Sequence, residues 1–428
     1  MGRWREWSII IRMNRLPPDP HFTAALVAAA IEGGTVATIL ERLCGAMAAA
    51  GLPLHRATVG TLLVHPLLDA TLVIWRPERG AYLDDTPRPV VRGSEAWRGS
   101  PFHELDLADR DAMRLNLEQG EGTARFAVLR ELAADGATDY LVLRTRLAPG
   151  VGLGAGTTIY ASWTTARPGG FTADELTRIE GITPLLAVVT AAALGTATAG
   201  TLLATYLGSD AAQRVLGGDI ERGRAEMIHA VIWYSDLAGF TGLADRLAGA
   251  GMLQLFTGHA EILGLLNDHA EIQVDAIEAR GGQVLKFMGD GILAIFRAAN
   301  EADAAEAALA AWLDAQARCA RLPRRPIGET HPYLALHAGE VLYGNIGGRA
   351  RLDFTVLGPA VNEAARIAAL CRRLDRTLLM SEAFAELCPE QRRPSLLALG
   401  SHALRGVARR QQLFGLRSPA DEPSSREG

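Results

Sequence analysis

The stretch VLKFMGDG, residues 284–291, sets a lysine four positions before an aspartate in a glycine turn. Of the 43 lysine and arginine residues in the 428-residue chain, Lys286 is the one lysine. In a chain that otherwise writes its cations as arginine, a single lysine reads either as chance survival or as a compact ammonium that suits one acceptor atom in a tight pocket better than a planar five-donor fork. Asp290 taken alone is a turn residue, and Asp236, after the apolar run MIHAVIWYS, taken alone is a helix N-cap. If their strands are neighbours, the two carboxylates emerge at one sheet edge and repel, and a divalent cation resolves the repulsion. Oxygen-only donors favour Mg²⁺ or Mn²⁺ over zinc. The backbone N–H groups of Leu237, Gly239, Phe240 and Thr241 then stand where phosphate oxygens would be held. Asn362 and Arg366, four apart in PAVNEAARI, share one face of a helix.

These residues need elements to position them. Met227–Ser235 reads as a buried strand, residues 251–279 as a helix, and 284–287 with 292–296 as a hairpin whose Asp-Gly supplies the positive φ of a tight turn. Residues 302–321 read as an alanine-rich helix, and 333–339 with 341–346 as a pair of strands. Pro359 opens a helix through Leu374. The order is βαββαβ with additions. Upstream, residues 20–50 read as helical, 57–64, 70–75, 139–147 and 157–166 as strands, 80–105 as loop-rich, and 124–133 as a short helix. Thr172 and Glu175 form a capping box that opens a long helix toward Tyr206. The loop with Gly150, Gly152, Gly154 and Gly156 joins two strands without a following helix, so it reads as a hairpin loop rather than a phosphate cradle.

Composition bounds the class. Hydrophobic residues make up 49% and charged residues 21%, as in a soluble globular chain of two or three domains. A net charge of −5 leaves no electrostatic footprint for nucleic acid. Cys44, Cys319, Cys371 and Cys388 lie far apart without metal-ligand spacing, which reads as reduced thiols in a cytoplasmic protein. Residues 182–208 carry no charge and are long enough to span a bilayer, but Ala, Thr and Gly dominate and the flanks lack basic or aromatic anchors. A buried helix, with small residues suited to a dimer seam, is the expectation. His55, His65 and His103 are scattered and read as structural.

The blocks WYSDLAGFT, VLKFMGDGILAIF, LHAGEVLYGNIG and DFTVLGPAVNEAARI resemble, in order and spacing, the catalytic blocks of class III nucleotidyl cyclases. The resemblance implies an α+β fold, with a ferredoxin-like βαββαβ catalytic domain over 225–417. A GAF/PAS-like regulatory domain (20–171) and a signalling helix and linker (172–224) would precede it, between tails at 1–19 and 418–428. It assigns Asp236, Asp290 and the adjoining Leu237 to two Mg²⁺ or Mn²⁺ ions. Lys286 and Thr355 are assigned to the purine, Asn362 to the ribose and Arg366 to the transition state. The Leu237–Thr241 loop and Arg405 are assigned to phosphates. Pro359 departs from the aspartate usual there, at a position without chemistry. The implied reaction is in-line attack of the ribose 3′-hydroxyl of ATP on the α-phosphorus, at sites shared by a homodimer. Guanylate-making relatives carry glutamate at the lysine position, so Lys286 points to ATP. A guanylate cyclase and a non-catalytic nucleotide-binding module are the competing readings.

Overall fold

The computed structural model describes residues 18–62, 70–84, 94–148, 157–240, 242, 252–325, 330–407 and 409–417. The chain divides into two units, residues 1–202 and 203–428.

In the first unit the Asp19 side chain accepts from the His21 amide and caps α1 (Pro20–Ile31), and Thr35 caps α2 (Val36–Ala49). Strands β1 (Arg56–Leu62), β2 (Ala70–Arg76), β3 (Gly80–Leu83), β4 (Ala112–Asn116), β5 (Asp139–Arg146) and β6 (Thr158–Thr165) form one sheet in the order β3-β2-β1-β6-β5-β4. Every pairing in it is antiparallel. The stretch expected to be loop-rich holds β3 and two short helices, α3 (Glu95–Arg98) and α4 (Pro101–Leu107). Ser94 and Ser100 cap these helices, a local side-chain signal that composition alone hides. Helix α5 (Ala127–Ala134) follows, and β4 is a strand that the sequence reading missed. The glycine loop over 148–156 lies almost wholly outside the described residues.

The capping box forms: Thr172 N donates to Glu175 Oε2 at 2.8 Å, and Glu175 N donates to Thr172 Oγ1 at 3.3 Å. It opens α6 (Ala173–Leu207), which carries Pro184 inside it. Among the described residues α6 is the one helix long and apolar enough to cross a membrane by length and composition. The buried-helix expectation holds as far as Ala191; beyond that point only Thr198 is buried.

In the second unit α7 (Ser209–Leu216) leads to β7 (Ala225–Leu237), α8 (Met252–Glu278), β8 (Gly282–Met288), β9 (Gly291–Phe296), α9 (Glu301–Cys319) and β10 (Pro332–Gly347). These strands lie in the order β10-β7-β9-β8, all antiparallel, which is the expected βαββαβ arrangement. After it come β11 (Leu352–Leu357), α10 (Pro359–Ala368), α11 (Cys371–Leu374), β12 (Leu378–Ser381), α12 (Glu382–Leu387), β13 (Leu396–His402) and β14 (Gln411–Leu416). The helix expected from Pro359 to Leu374 is thus two, α10 and α11. Strand β10 carries β12 beside its first half and β11 beside its second.

The two strands expected within 333–346 are one. Tyr333 through Gly344 pair without a break against Asp236 through Ala225, so Gly339 is not a turn. A Cβ on Gly339 would sit 2.9 Å from Ala360 Cβ; the glycine lets α10 approach the sheet. One face of the sheet buries Trp233 and Phe296 beneath α8 and α9, with the Trp233 ring edge-to-face at 6.0 Å to Trp312 of α9. On the other face Ala360, Ala364 and Ile367 of α10 pack against Ile232, Val341 and Ala335.

Candidate active site

Strand β9 lies between β7 and β8, with Ser235 opposite Ile292, so Asp236 at the end of β7 meets Asp290 in the β8–β9 turn. The turn loop is Gly289–Asp290, since Met288 pairs with Gly291. Its positive φ, 69°, falls on Gly289 and not on the Asp-Gly pair as expected. Gly291 is required for another reason: a Cβ there would lie 2.3 Å from the Ser235 carbonyl oxygen. That close approach of β7 to β9 brings the two carboxylates together. Asp236 is pushed up to about 6, first by desolvation at the strand end although its side chain reaches solvent, then by the Asp290 charge and a hydrogen bond to Asp290. Leu237 N donates to Asp290 Oδ2 at 3.3 Å and fixes the second carboxylate against the first strand.

Two carboxylates held in contact fit a divalent cation, which would replace the shared proton with a stronger charge. Asp236 and Asp290, with the Leu237 main chain beside them, would be its donors. Among the described residues no group of three or more His, Cys, Asp or Glu side chains is placed to hold a metal ion, so a cation here would also draw on backbone, substrate or water oxygens. In the loop after β7, the Leu237 amide is used by Asp290 and the Ala238 amide donates to the His331 carbonyl at 2.9 Å. Gly239 (φ 73°) and Phe240 follow, and Thr241 lies outside the described residues.

Lys286 lies on β8 with its Nζ 3.3 Å from Asp353 Oδ2 on β11. Thr355, two residues along β11, is 3% exposed, and its Oγ1 is buried without a hydrogen-bond partner. Such an orphaned hydroxyl costs free energy unless something donates to it or accepts from it. Lys286 and Asp353 thus pair across two strands, with Thr355 on the Asp353 face of β11 as a second group of candidate residues. Asp353 was missed in the sequence; strand alternation in DFT, which puts 353 and 355 on one face, is the signal that would have found it.

Asn362 and Arg366 project from α10 away from its buried side of Ala360, Ala364, Ile367 and Ala368. Asn362 is exposed and Arg366 half-buried. The Arg366 guanidinium lies against Gly406, 3.5 Å from where a Cβ would stand, in a turn anchored by buried Leu404. That turn also carries Arg405, which is exposed, one residue before Gly406. Between Asn362 and Arg366 in sequence, Glu363 accepts from Gln411 Nε2 at 3.1 Å and stands 3.8 Å from Nε2 of buried His337. His337 Nδ1 is 2.8 Å from Ser381 Oγ, and burial pushes the imidazole down to about 4, so it is neutral near pH 7.

The carboxylate pair and Thr355 do not converge in one chain. Asp236 pairs with Tyr333 at the start of β10, and Thr355 with Gly344, eleven residues further along the same strand.

No protein-family model matches the chain. It is 33% identical over 186 residues to an uncharacterized protein of Mycobacterium tuberculosis, covering 43% of this chain and 31% of that one. It is 31% identical over 183 residues to an adenylate cyclase of Anabaena cylindrica, covering 40% of this chain and 34% of that one. The chain spans about a third of the length of these curated relatives. Among solved structures, a bacterial light-regulated adenylyl cyclase superposes at a TM-score of 0.45 and 18% identity, over 64% of this chain and 86% of that one.

Proposed function

We propose that residues 225–417 form an adenylate cyclase domain that converts ATP to 3′,5′-cyclic AMP and pyrophosphate, working as a homodimer and regulated by the upstream unit. The observation that carries this reading is the Asp236–Asp290 contact, a carboxylate pair whose repulsion a divalent cation would relieve. The similarity to the Anabaena cylindrica adenylate cyclase supports it. Two Mg²⁺ or Mn²⁺ ions bound at Asp236, Asp290 and the Leu237 main chain would supply Lewis acidity for an attacking hydroxyl and counter-charge for phosphates.

The chain's own residues account for the rest. Lys286 is a donor and suits adenine N1, an acceptor; guanine presents N1–H at that edge and would be opposed. The orphaned Thr355 hydroxyl accepts from the adenine 6-amino group. Asn362 hydrogen-bonds the ribose and sets the 3′-oxygen in line with the α-phosphorus. As the 3′-oxygen bonds to that phosphorus, the bond to the bridging oxygen breaks, pyrophosphate leaves and the hydroxyl proton passes to solvent. Arg366, with Arg405 in the turn it lies against, meets the negative charge on the transferring group.

A second copy of the chain brings its Lys286, Thr355, Asn362 and Arg366 to the first copy's carboxylates. In support, Met227, Leu342 and Leu357 lie side by side across β7, β10 and β11 and are 60%, 42% and 49% exposed, a row that a partner would cover. Purified protein given ATP or GTP, with Mg²⁺ or Mn²⁺, tests the reading. Cyclic AMP from ATP, lost in Asp290→Ala, is expected. Nucleotide binding without product under every condition would favour the non-catalytic module, and cyclic GMP as the main product would favour a guanylate cyclase.

A further inference from the structure

Lys286 and Thr355 sit on β8 and β11, two strands that do not pair with each other in the sheet, so other contacts must hold them together. The Lys286–Asp353 ion pair is exposed and weak. Helix α7 and the loop after it touch both strands. Gly208, before α7 and with φ 86°, comes so near β8 that a Cβ there would lie 2.8 Å from the Val284 carbonyl oxygen. Leu207 and Ala211 share one apolar cluster with Leu285 of β8 and with Phe354 and Val356 of β11. Strand alternation puts Phe354 and Val356 on the face of β11 opposite to Asp353 and Thr355.

The polar contacts centre on Tyr343 of β10, which pairs with Val356 and is buried. Its hydroxyl donates to Asp210 of α7, and Gln283 Oε1 on β8 stands 3.3 Å from the same oxygen. Arg214 Nε donates to Asp210 at 3.0 Å, and its guanidinium lies over the rings of Tyr343 and Phe354. Two residues along β10, buried Asn345 donates to the Asp219 carbonyl at 2.6 Å. Between them Gly344, opposite Thr355, comes so near the same loop that a Cβ would lie 2.2 Å from the Arg224 carbonyl oxygen. A buried phenol needs one acceptor, and Gln283 alone would suffice. The Asp210 carboxylate adds a charge-assisted bond that ties α7 to β10 as well. We propose that Asp210 and Tyr343 are positioning residues for base recognition. Their hydrogen bond holds α7 against β8 and β11 and so sets the spacing between Lys286 and Thr355. The inference rests on the cyclase reading and deepens it, because Asp210 lies upstream of residues 225–417 and gives the purine contacts a support outside that domain.

Steady-state kinetics of the full chain with ATP and with GTP tests it, beside Tyr343→Phe, Asp210→Ala and Asp210→Asn. Tyr343→Phe and Asp210→Ala are each expected to raise KM for ATP roughly fivefold to tenfold, the scale of one charge-assisted hydrogen bond, and to narrow the preference for ATP over GTP. Their kcat should stay within about a factor of two of wild type, since the bond supports binding and not the chemical step. Asp210→Asn keeps an acceptor for the phenol and is expected to recover most of the loss. The double variant should be no worse than either single one, because both remove the same bond. Amide hydrogen exchange over residues 283–288 and 352–357 reads the closure of the two strands directly and is expected to quicken in Tyr343→Phe. A fall in kcat at unchanged KM, an Asp210→Asn variant as impaired as Asp210→Ala, or unchanged exchange while cyclic AMP is still made overturns the inference and leaves the cyclase reading standing. A wild type that makes no cyclic nucleotide overturns the cyclase reading and the inference with it.

Discussion

Lys286 Nζ and Asp353 Oδ2, 3.3 Å apart, join β8 to β11, although β9, β7 and β10 lie between those strands in the sheet. The two side chains are 36% and 56% exposed, so the ion pair contributes at most about 1 kcal/mol to stability. Its effect is positional: the chain's one lysine is held at Asp353, and Thr355, two residues further along β11, has the orphaned hydroxyl. Asp353→Asn is therefore expected to leave the unfolding midpoint nearly unchanged and to raise KM for ATP roughly tenfold, the scale of one charge-assisted hydrogen bond. Steady-state kinetics checks this; an unchanged KM would mean that Asp353 does not place the ammonium.

Exchanging the lysine itself reverses the donor pattern. Lys286→Glu presents an acceptor where guanine carries N1–H and its 2-amino group, so the ratio of cyclic AMP to cyclic GMP formed from equal ATP and GTP is expected to fall. A fall in both products with their ratio preserved would place Lys286 outside base selection.

The carboxylate pair has a stability consequence that runs against its function. Asp236 titrates near 6 in the folded protein against an ordinary value of 3.8, so its contribution to stability is fully present below about 3.8 and is lost as pH rises through 6. Without metal, the wild type should lose stability between pH 5 and pH 8. Asp290→Asn, which removes the repelling charge, should lose less and be inactive. Unfolding midpoints in chelator at the two pH values decide it, and equal losses in the two proteins would show that the carboxylates are not coupled.

His337 supplies the acid limb. Its imidazole is held down to about 4 by burial against an ordinary 6.5, so the stability it contributes is present above 6.5 and lost as pH falls toward 4. His337→Gln, which can still meet Ser381, is expected to flatten unfolding midpoints between pH 6.5 and pH 4. A profile identical to that of wild type would assign acid unfolding to other groups.

Much of this was legible before any coordinates. Asp236, Lys286 and Asp290 announce themselves by residue type and spacing, and the apolar runs around them fix β7, β8 and β9 to within a few residues. The capping box at Thr172 and Glu175 forms as written. The misses share a cause, in that tertiary contact assigns a different task to a local signal. Gly339 looks like a turn but accommodates Ala360, and Gly291 looks like the turn's positive-φ residue but accommodates the Ser235 carbonyl. Asp353 looks like a surface charge until the sheet brings β8 and β11 together.

In the proposed dimer, each active site would draw its carboxylates from one chain and its purine, ribose and transition-state residues from another. Asp236→Ala and Arg366→Ala chains, each inactive alone, should be co-refolded in equal amounts and assayed for cyclic AMP. Half of the dimers are then hybrids with one intact site, so recovery to about a quarter of the wild-type rate is expected. Verified hybrid dimers that make no cyclic AMP would contradict the account.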